Sequence, residues 1–354
     1  MKSEIDNIQI LRAVAALMVV TSHFLSGTVG GIFKYNGGFG VDIFFVISGF
    51  LMVYTQRDDK NAASFLTSRI RRIYPLYIIV SLPLILTTFP LERFLAIAGN
   101  FILLPGLDFP QYHMANDPAW TLVYEMIFYV MFTASLLLTK EPVKVCLITC
   151  SIIILCLLFV GTHQRLGWVN LGYILSDKLM LNFAAGCVLA LLFKHINIRV
   201  NFVIGASLVA VLCYLALNTL TSFDRIYKYG LPAIAIVAIA LITKPGKGHI
   251  YTFFHKIGDA SYSIYLTHIY VIILFKQFVA TNHHNWFVLY YSSFCFMVFA
   301  VLLGMLICKL IEKPMDSWLK LLFKNFSFAR LNAKRNDGLK DTLPLISRES
   351  SHAF

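Results

Sequence analysis

The chain has 354 residues, of which 58% are hydrophobic and 14% charged, and its formal net charge is +12. Soluble domains carry about 45–50% apolar and about 25% charged residues, so this much apolar surface cannot be hidden in one globular core, whereas lipid accepts it. The excess Lys and Arg lie mostly in short segments between apolar runs and near the C-terminus, a pattern that orients membrane proteins and argues against nucleic acid as partner.

Apolar runs near 8–26, 40–55, 72–90, 120–139, 143–161, 178–194, 201–218, 228–243, 260–280 and 287–310 predict an all-α, polytopic membrane bundle of about ten transmembrane helices. The first run lacks a small-residue cleavage site, so it reads as a retained helix rather than a signal peptide. It carries Arg12 and His23 in LRAVAALMVVTSHF. Eleven residues at about 100° each return almost to the same azimuth over roughly 16 Å, so one stripe presents both side chains at different depths. Beside this stands a plainer reading, in which Arg12 snorkels to the interface and His23 is a satisfied core histidine.

The second run, GGFGVDIFFVISGFLM, opens with Asp42 near the end opposite the N-terminus. Running antiparallel to the first helix, it sets Asp42 at about the depth of His23, where a carboxylate can orient an imidazole. Gly37, Gly38, Gly40 and Gly49 permit close backbone approach. A structural ion pair or a helix cap is the other reading of Asp42. The third run is entered through SRIRRIYPLY, where Arg69 and Arg72 share a face and their guanidinium forks suit phosphate. Orientation charges against anionic lipid account for them equally well. Leu91 to Leu104 is apolar but short and bracketed by Pro90 and Pro105, which predicts an interfacial or re-entrant segment.

In DPAWTLVYEMIFY, Trp120, Tyr124 and Tyr129 surround Glu125, an ionisable group inside a span and hence a candidate site residue. The aromatics also fit an interfacial belt. Seven cysteines all fall inside apolar runs without CxxC spacing and read as packing residues, not as a disulfide framework or zinc site. GDASYSIYLTHIY adds Asp259, Ser261, Tyr262, Tyr265 and His268; nothing around it resembles a nucleophile elbow. The EKP at Glu312 to Pro314 ends the last helix. Residues 315–331 alternate apolar and basic side chains, predicting a helix lying on the membrane surface, and 332–354 read as a disordered tail.

Ten spans put both termini on one side. About 22 of the 30 Lys and Arg then fall on that side, against Lys34, Arg93, Arg165, Lys178, Arg225 and Lys228 on the other, so both termini are expected in the cytoplasm.

Arg12-x10-His23, GVDIFFVISGFLM, Arg69-x-x-Arg72, AWTLVYEMIFY and GDASYSIYLTH occur in this order over residues 7–314. Together they resemble the acyltransferase 3 family of integral membrane acyltransferases, with IQILRAVAAL and AWTLVYEMIFY most like exopolysaccharide acetyltransferases of the succinoglycan type and similar to O-antigen acetyltransferases. The resemblance implies one membrane domain over 1–314 in the bacterial inner membrane. It implies transfer of an acyl group, usually acetyl from acetyl-CoA and without a metal, to a sugar hydroxyl of a glycan or lipid-linked oligosaccharide. Acceptor choice would lie in the membrane domain, its outer loops or proteins of polysaccharide assembly.

Joined to the topology, this gives Arg12, Arg69 and Arg72 as donor-binding residues and His23, Asp42 and Glu125 as the catalytic group. His23 is the base or acyl carrier, Asp42 tunes it, and Glu125 orients the acceptor or relays protons. Trp120, Tyr124, Tyr129 and His268 are the candidate acceptor contacts. Two other classes fit the intramembrane charges. A transporter or flippase of a lipid-linked sugar or small solute would move substrate without incorporating acyl groups; a scaffolding subunit would tolerate loss of His23, Asp42 and Glu125 together.

Overall fold

The computed structural model describes residues 6–25, 37–56, 61–107, 112–163, 169–218, 223–282 and 286–322. Among these the chain is helical throughout, with no strand and two isolated bridges, Gly106 to Asn170 and Val200 to Thr243. A run of apolar residues in lipid has no water to satisfy its amides, so the helix, which closes every bond within the segment, is the available solution.

The helices are α1 (Asp6–Leu25), α2 (Gly38–Tyr54), α3 (Ala62–Thr88), α4 (Phe94–Ile102), α5 (Trp120–Leu138), α6 (Pro142–Phe159), α7 (Leu171–Ser176), α8 (Met180–Phe193), α9 (Phe202–Asn218), α10 (Leu231–Ile242), α11 (His249–Asp259), α12 (Ser261–Asn282) and α13 (Trp286–Ile307). A 3-10 turn at Asp117–Ala119 leads into α5, and a π-turn at Ile226–Gly230 leads into α10. Six segments are long and apolar enough to cross a membrane: Asp6–Leu25, Ala62–Thr88, Asp117–Leu138, Pro142–Phe159, Ser261–Ala280 and the one beginning at Phe287. Four shorter apolar helices, Gly38–Tyr54, Met180–Phe193, Phe202–Asn218 and Ile226–Ile242, fall on the remaining four apolar runs of the sequence. Phe159, Leu137, Leu138 and Phe287 leave three quarters or more of their surface uncovered, as lipid-facing side chains do.

Two boundaries differ from the sequence pattern. α3 starts at Ala62, ten residues before the apolar run, because Asn61 caps it by accepting from the Ser64 amide at 2.8 Å. The arginine-rich turn therefore belongs to the helix. α11 lies between two of the apolar runs, and its one-sided apolar pattern is absorbed by α1, where a Cβ on Gly258 would come within 1.9 Å of the Gln9 carbonyl. The Leu91–Leu104 segment forms only α4, nine residues and roughly 14 Å long, too short to span. A second unit begins at Lys309, and of it residues 309–322 are described and helical. The expected surface helix at 315–331 is described only as far as 322, and the tail at 332–354 lies outside the described residues.

Helix order around the bundle is what positions the site. α1 packs against α2, α2 against α8, α8 against α6, α6 against α5, α5 against α3, α3 against α12, and α12 returns to α1. The closest approach in this circuit is between α2 and α8. A Cβ on Gly49 would meet the Phe183 carbonyl oxygen at 2.1 Å, and one on Gly186 would meet the Val46 carbonyl oxygen at 2.1 Å. Backbone against backbone leaves nothing flexible to move aside. Where the partners are polar they bind across helices. Asn116 donates to Ser81 Oγ at 3.1 Å and to the Leu266 carbonyl at 3.2 Å, fastening the entry of α5 to α3 and α12. Asn7 donates to the Thr243 carbonyl at 2.6 Å, and Tyr251 Oη donates to Asn7 Oδ1 at 3.0 Å.

Replacing Gly49 by Val should force α2 off α8 and cost about 1–3 kcal/mol, the usual range for overpacking. Thermal unfolding of the detergent-solubilised protein checks this. An unchanged midpoint for Gly49→Val would contradict the close approach.

Candidate active site

α1, α2, α3, α5 and α12 enclose a cavity whose wall includes Arg12, Arg69, Arg72, Glu125, Tyr129, Ser48, Ser261, Tyr262 and Tyr265. Three arginines and Glu125, picked out separately in the sequence, thus meet at one place. Glu125 Oε1 accepts from Ser48 Oγ at 3.0 Å and from the Tyr129 hydroxyl, so two donors hold its carboxyl at the wall. The Arg69 guanidinium lies over the rings of Phe65, at 5.1 Å, and Tyr129, at 5.6 Å. These contacts use its faces and leave its donors. Arg69 Nε and Ser261 Oγ are buried and have no hydrogen-bond partner among the described residues. Buried donors without acceptors cost free energy, and a wall with three guanidinium groups facing one carboxyl favours an anion. Arg12 Nη1 donates to Gln9 Oε1 at 3.1 Å, one turn below it on α1.

His23 stands eleven residues beyond Arg12, roughly 16 Å along α1, and does not line this cavity. Its Nδ1 lies 2.9 Å from Nε2 of His268. His268 is wholly buried, and its ring sits beside that of Tyr265, with centroids 5.9 Å apart. Tyr265 in turn donates to the Pro118 carbonyl at 2.8 Å and lies 2.9 Å from Thr121 Oγ1. α12 therefore runs from the cavity wall, at Ser261, Tyr262 and Tyr265, to the histidine pair one turn further on.

Asp42 is elsewhere. Its Oδ2 pairs with Arg225 Nη2 at 2.7 Å and its Oδ1 accepts from Asn182 Nδ2 at 2.8 Å, with Arg225 also bonding the Gly38 carbonyl at 3.1 Å. The expected contact between Asp42 and His23 is not made, and His268 fills that place. Glu125, expected in the same group, lines the arginine cavity instead. The four expected acceptor contacts also divide. Tyr129 lines the cavity; Tyr124 is buried and donates to Asp177 Oδ2 at 2.9 Å; Trp120, half-buried, packs edge-on against Tyr124 with centroids 5.4 Å apart. His268, with no exposed surface, touches His23. Arg225 escaped sequence reading because it counts as one more loop charge. The signal was Asp42 itself, since a buried carboxylate needs a cationic partner and Arg225 opens a later helix on the same side.

A family model described as an acyltransferase domain matches residues 5–312. The chain is 28% identical over 265 residues to the exopolysaccharide production protein ExoZ of Rhizobium meliloti (strain 1021), covering 67% of this chain and 77% of that one. It is 25% identical over 300 residues to the acyltransferase MdmB of Streptomyces mycarofaciens, covering 74% and 77%. A third relative is the peptidoglycan O-acetyltransferase OatA of Listeria monocytogenes, 25% identical over 313 residues, covering 76% of this chain and half of that one. No solved structure matches the chain.

Arg225→Met strands the Asp42 carboxylate inside the bundle, a loss of about 3 kcal/mol for breaking a buried pair. Adding Asp42→Asn removes the stranded charge and should recover more than half of that loss. Thermal unfolding of the two single variants and the double variant checks the coupling; additive losses would contradict it.

Proposed function

The chain belongs to the acyltransferase 3 family, and from that membership we propose that it moves an acetyl group from cytoplasmic acetyl-CoA to a sugar hydroxyl of a cell-envelope or exported polysaccharide. The names of the Rhizobium and Listeria relatives support a glycan acceptor and O-acetyl transfer. The observation that carries the donor side is the cavity wall, where Arg12, Arg69 and Arg72 converge and Arg69 Nε lacks an acceptor. Guanidinium forks bind phosphate in two-point fashion, and three of them match the phosphates of a CoA.

In this reading the membrane domain covers residues 1–314, spans the bacterial inner membrane ten times and keeps both termini in the cytoplasm. The four shorter apolar helices complete the count, and the distribution of Lys and Arg supports the orientation. The arginine cavity then opens toward the cytoplasm and His23 lies in the outer half. The thioester end of the donor passes Tyr265 to reach His23. The acceptor oxygen forms the new C–O bond as its proton goes to the imidazole; the C–S bond breaks and the CoA thiolate leaves with a proton. A route in which His23 itself carries the acyl group uses the same nitrogen. Glu125, held by Ser48 and Tyr129, relays protons at the cavity wall, and the Asp42–Arg225 pair holds the outer ends of α2 and α10.

His23→Ala should lower acetyl incorporation into extracted polysaccharide by roughly 10²-fold or more, the contribution of a positioned general base. Mass spectrometry of the glycan, with membrane abundance measured alongside, checks it; normal acylation at normal abundance removes His23 from the chemistry. Arg69→Gln with Arg72→Gln should weaken labelling by a CoA photoprobe at unchanged abundance. Acyl-free polysaccharide from wild-type cells, with a sugar carried across the membrane instead, would favour a flippase.

A further inference from the structure

We propose that His268 is a positioning residue that fixes the tautomer of His23, so that His23 Nε2 is the bare nitrogen presented to the reacting hydroxyl. The proposal rests on the acyltransferase reading for its chemistry, but its geometry stands apart from it.

The argument begins at the buried end. His268 Nδ1 lies 3.2 Å from the carbonyl oxygen of Ile264, one turn earlier on α12. A carbonyl only accepts, so Nδ1 carries the proton. His268 has no exposed surface, and a doubly protonated imidazole there would be a buried cation with no carboxylate bonded to it. It is therefore neutral, and its Nε2 has only a lone pair to offer. The nitrogen facing that lone pair at 2.9 Å is His23 Nδ1, which must donate. Neutral His23 protonated at Nδ1 has its lone pair on Nε2.

Ring geometry agrees. The two planes differ by 16° and the centroids are 5.1 Å apart. That separation exceeds the N···N distance by roughly one ring radius at each end, as in an edge-to-edge bond lying in the ring planes, where N–H and lone pair point at one another. Rings laid face to face would not bring two nitrogens to hydrogen-bond distance along their lone pairs. The opposite edge of His23 bears Nε2, which has no partner among the described residues, and His23 is only half-buried. The inner nitrogen is occupied, and the outer one is available.

This arrangement does what an orienting group does for a general base. It holds the ring by one nitrogen, selects the tautomer and supplies an acceptor for the N–H that becomes more acidic as the other nitrogen takes a proton. Because His268 is neutral, it does so without a charge that would bind the proton too firmly. No carboxylate is required at His23, which accords with Asp42 being committed to Arg225.

The test compares His268→Gln, whose side-chain oxygen can accept from His23 Nδ1, with His268→Met, of similar length but without that acceptor. In membranes supplied with acetyl-CoA and the polysaccharide acceptor, Met should reduce kcat by roughly 10²-fold with an unchanged KM for acetyl-CoA. Gln should stay within about tenfold of wild type. A merely structural role would instead affect both variants, through abundance. In parallel, nitrogen-15 spectra of protein with labelled histidine, assigned by His23→Asn, should show His23 protonated at Nδ1 and bare at Nε2 in wild type. The proposal is overturned if His23 is protonated at Nε2, or if the Met variant turns over as wild type does. If Met fails to insert, Gln turnover and the tautomer decide. If wild type transfers no acyl group, the functional reading falls, and the tautomer alone judges this proposal.

Discussion

Inside this bundle a polar side chain has no water to turn to, and that constraint organises the rest of the structure. Apolar contact does little to choose one neighbour over another in lipid, because the tails are as apolar as Leu. A buried amide or carboxylate does choose. Asn116 selects Ser81 and the Leu266 carbonyl, and in doing so sets the entry of α5 between α3 and α12. Asn7, bonded to the Thr243 carbonyl and to Tyr251, sets the start of α1 against the end of α10 and against α11. Asp42, with Arg225 and Asn182, gathers α2, α8 and the turn into α10. Glycine contacts then bring the backbones together where those bonds have aligned them, between α2 and α8 and between α1 and α11.

At the cavity wall three arginines and one carboxyl meet, and Arg69 Nε and Ser261 Oγ of its lining residues are buried without a hydrogen-bond partner. The rings of Phe65 and Tyr129 hold the Arg69 guanidinium by its faces, which fixes its direction without consuming its donors. Glu125, by contrast, is given two hydroxyl donors. The wall is thus prepared for an anion from outside the chain, and its single carboxyl is tied down by neutral hydroxyls.

Much of this was legible in the sequence, and the part that was not has a common cause. All ten apolar runs correspond to helices, since a period-free apolar stretch bounded by charge has one structure in lipid. Arg12 and Glu125 were marked by the cost of an ionisable side chain within a span, Arg69 and Arg72 by their shared face at the entry to one, and Tyr129 by its place beside Glu125. Height along a helix follows from residue number at a fixed rise. Azimuth between helices does not, because it depends on which helix lies alongside. The register of one helix against the next does not follow either: Gly37 of α2 lies against Met18 and Ser22 of α1 and Gly40 against Ala15, so Asp42 lies nearer the level of Ala15 than of His23, to which the sequence reading joined it. The partner of His23 comes from α12, 245 residues away, and that of Asp42 from the turn before α10, 183 residues away. α11 lies outside the ten runs for a related reason: its apolar face is short and one-sided, and it is covered mainly by α1.

The same two helices carry both halves of the site. α1 bears Arg12 at the cavity and His23 beyond it; α12 bears Ser261, Tyr262 and Tyr265 at the cavity and His268 beyond. The separation between the arginine wall and the histidine pair is therefore a helix rise counted twice, and no loop intervenes to let it vary. An anionic head group bound at the wall would hold its far end at a set distance, and only a donor with a long arm would present its acyl carbon to His23. Tyr265 marks the passage between the two levels. Its hydroxyl is held by Pro118 and Thr121, and its ring lies between the cavity and His268. In the proposed reading, selection for a thioester on an extended arm would arise from spacing along α1 and α12, before any group recognises the acyl chain itself.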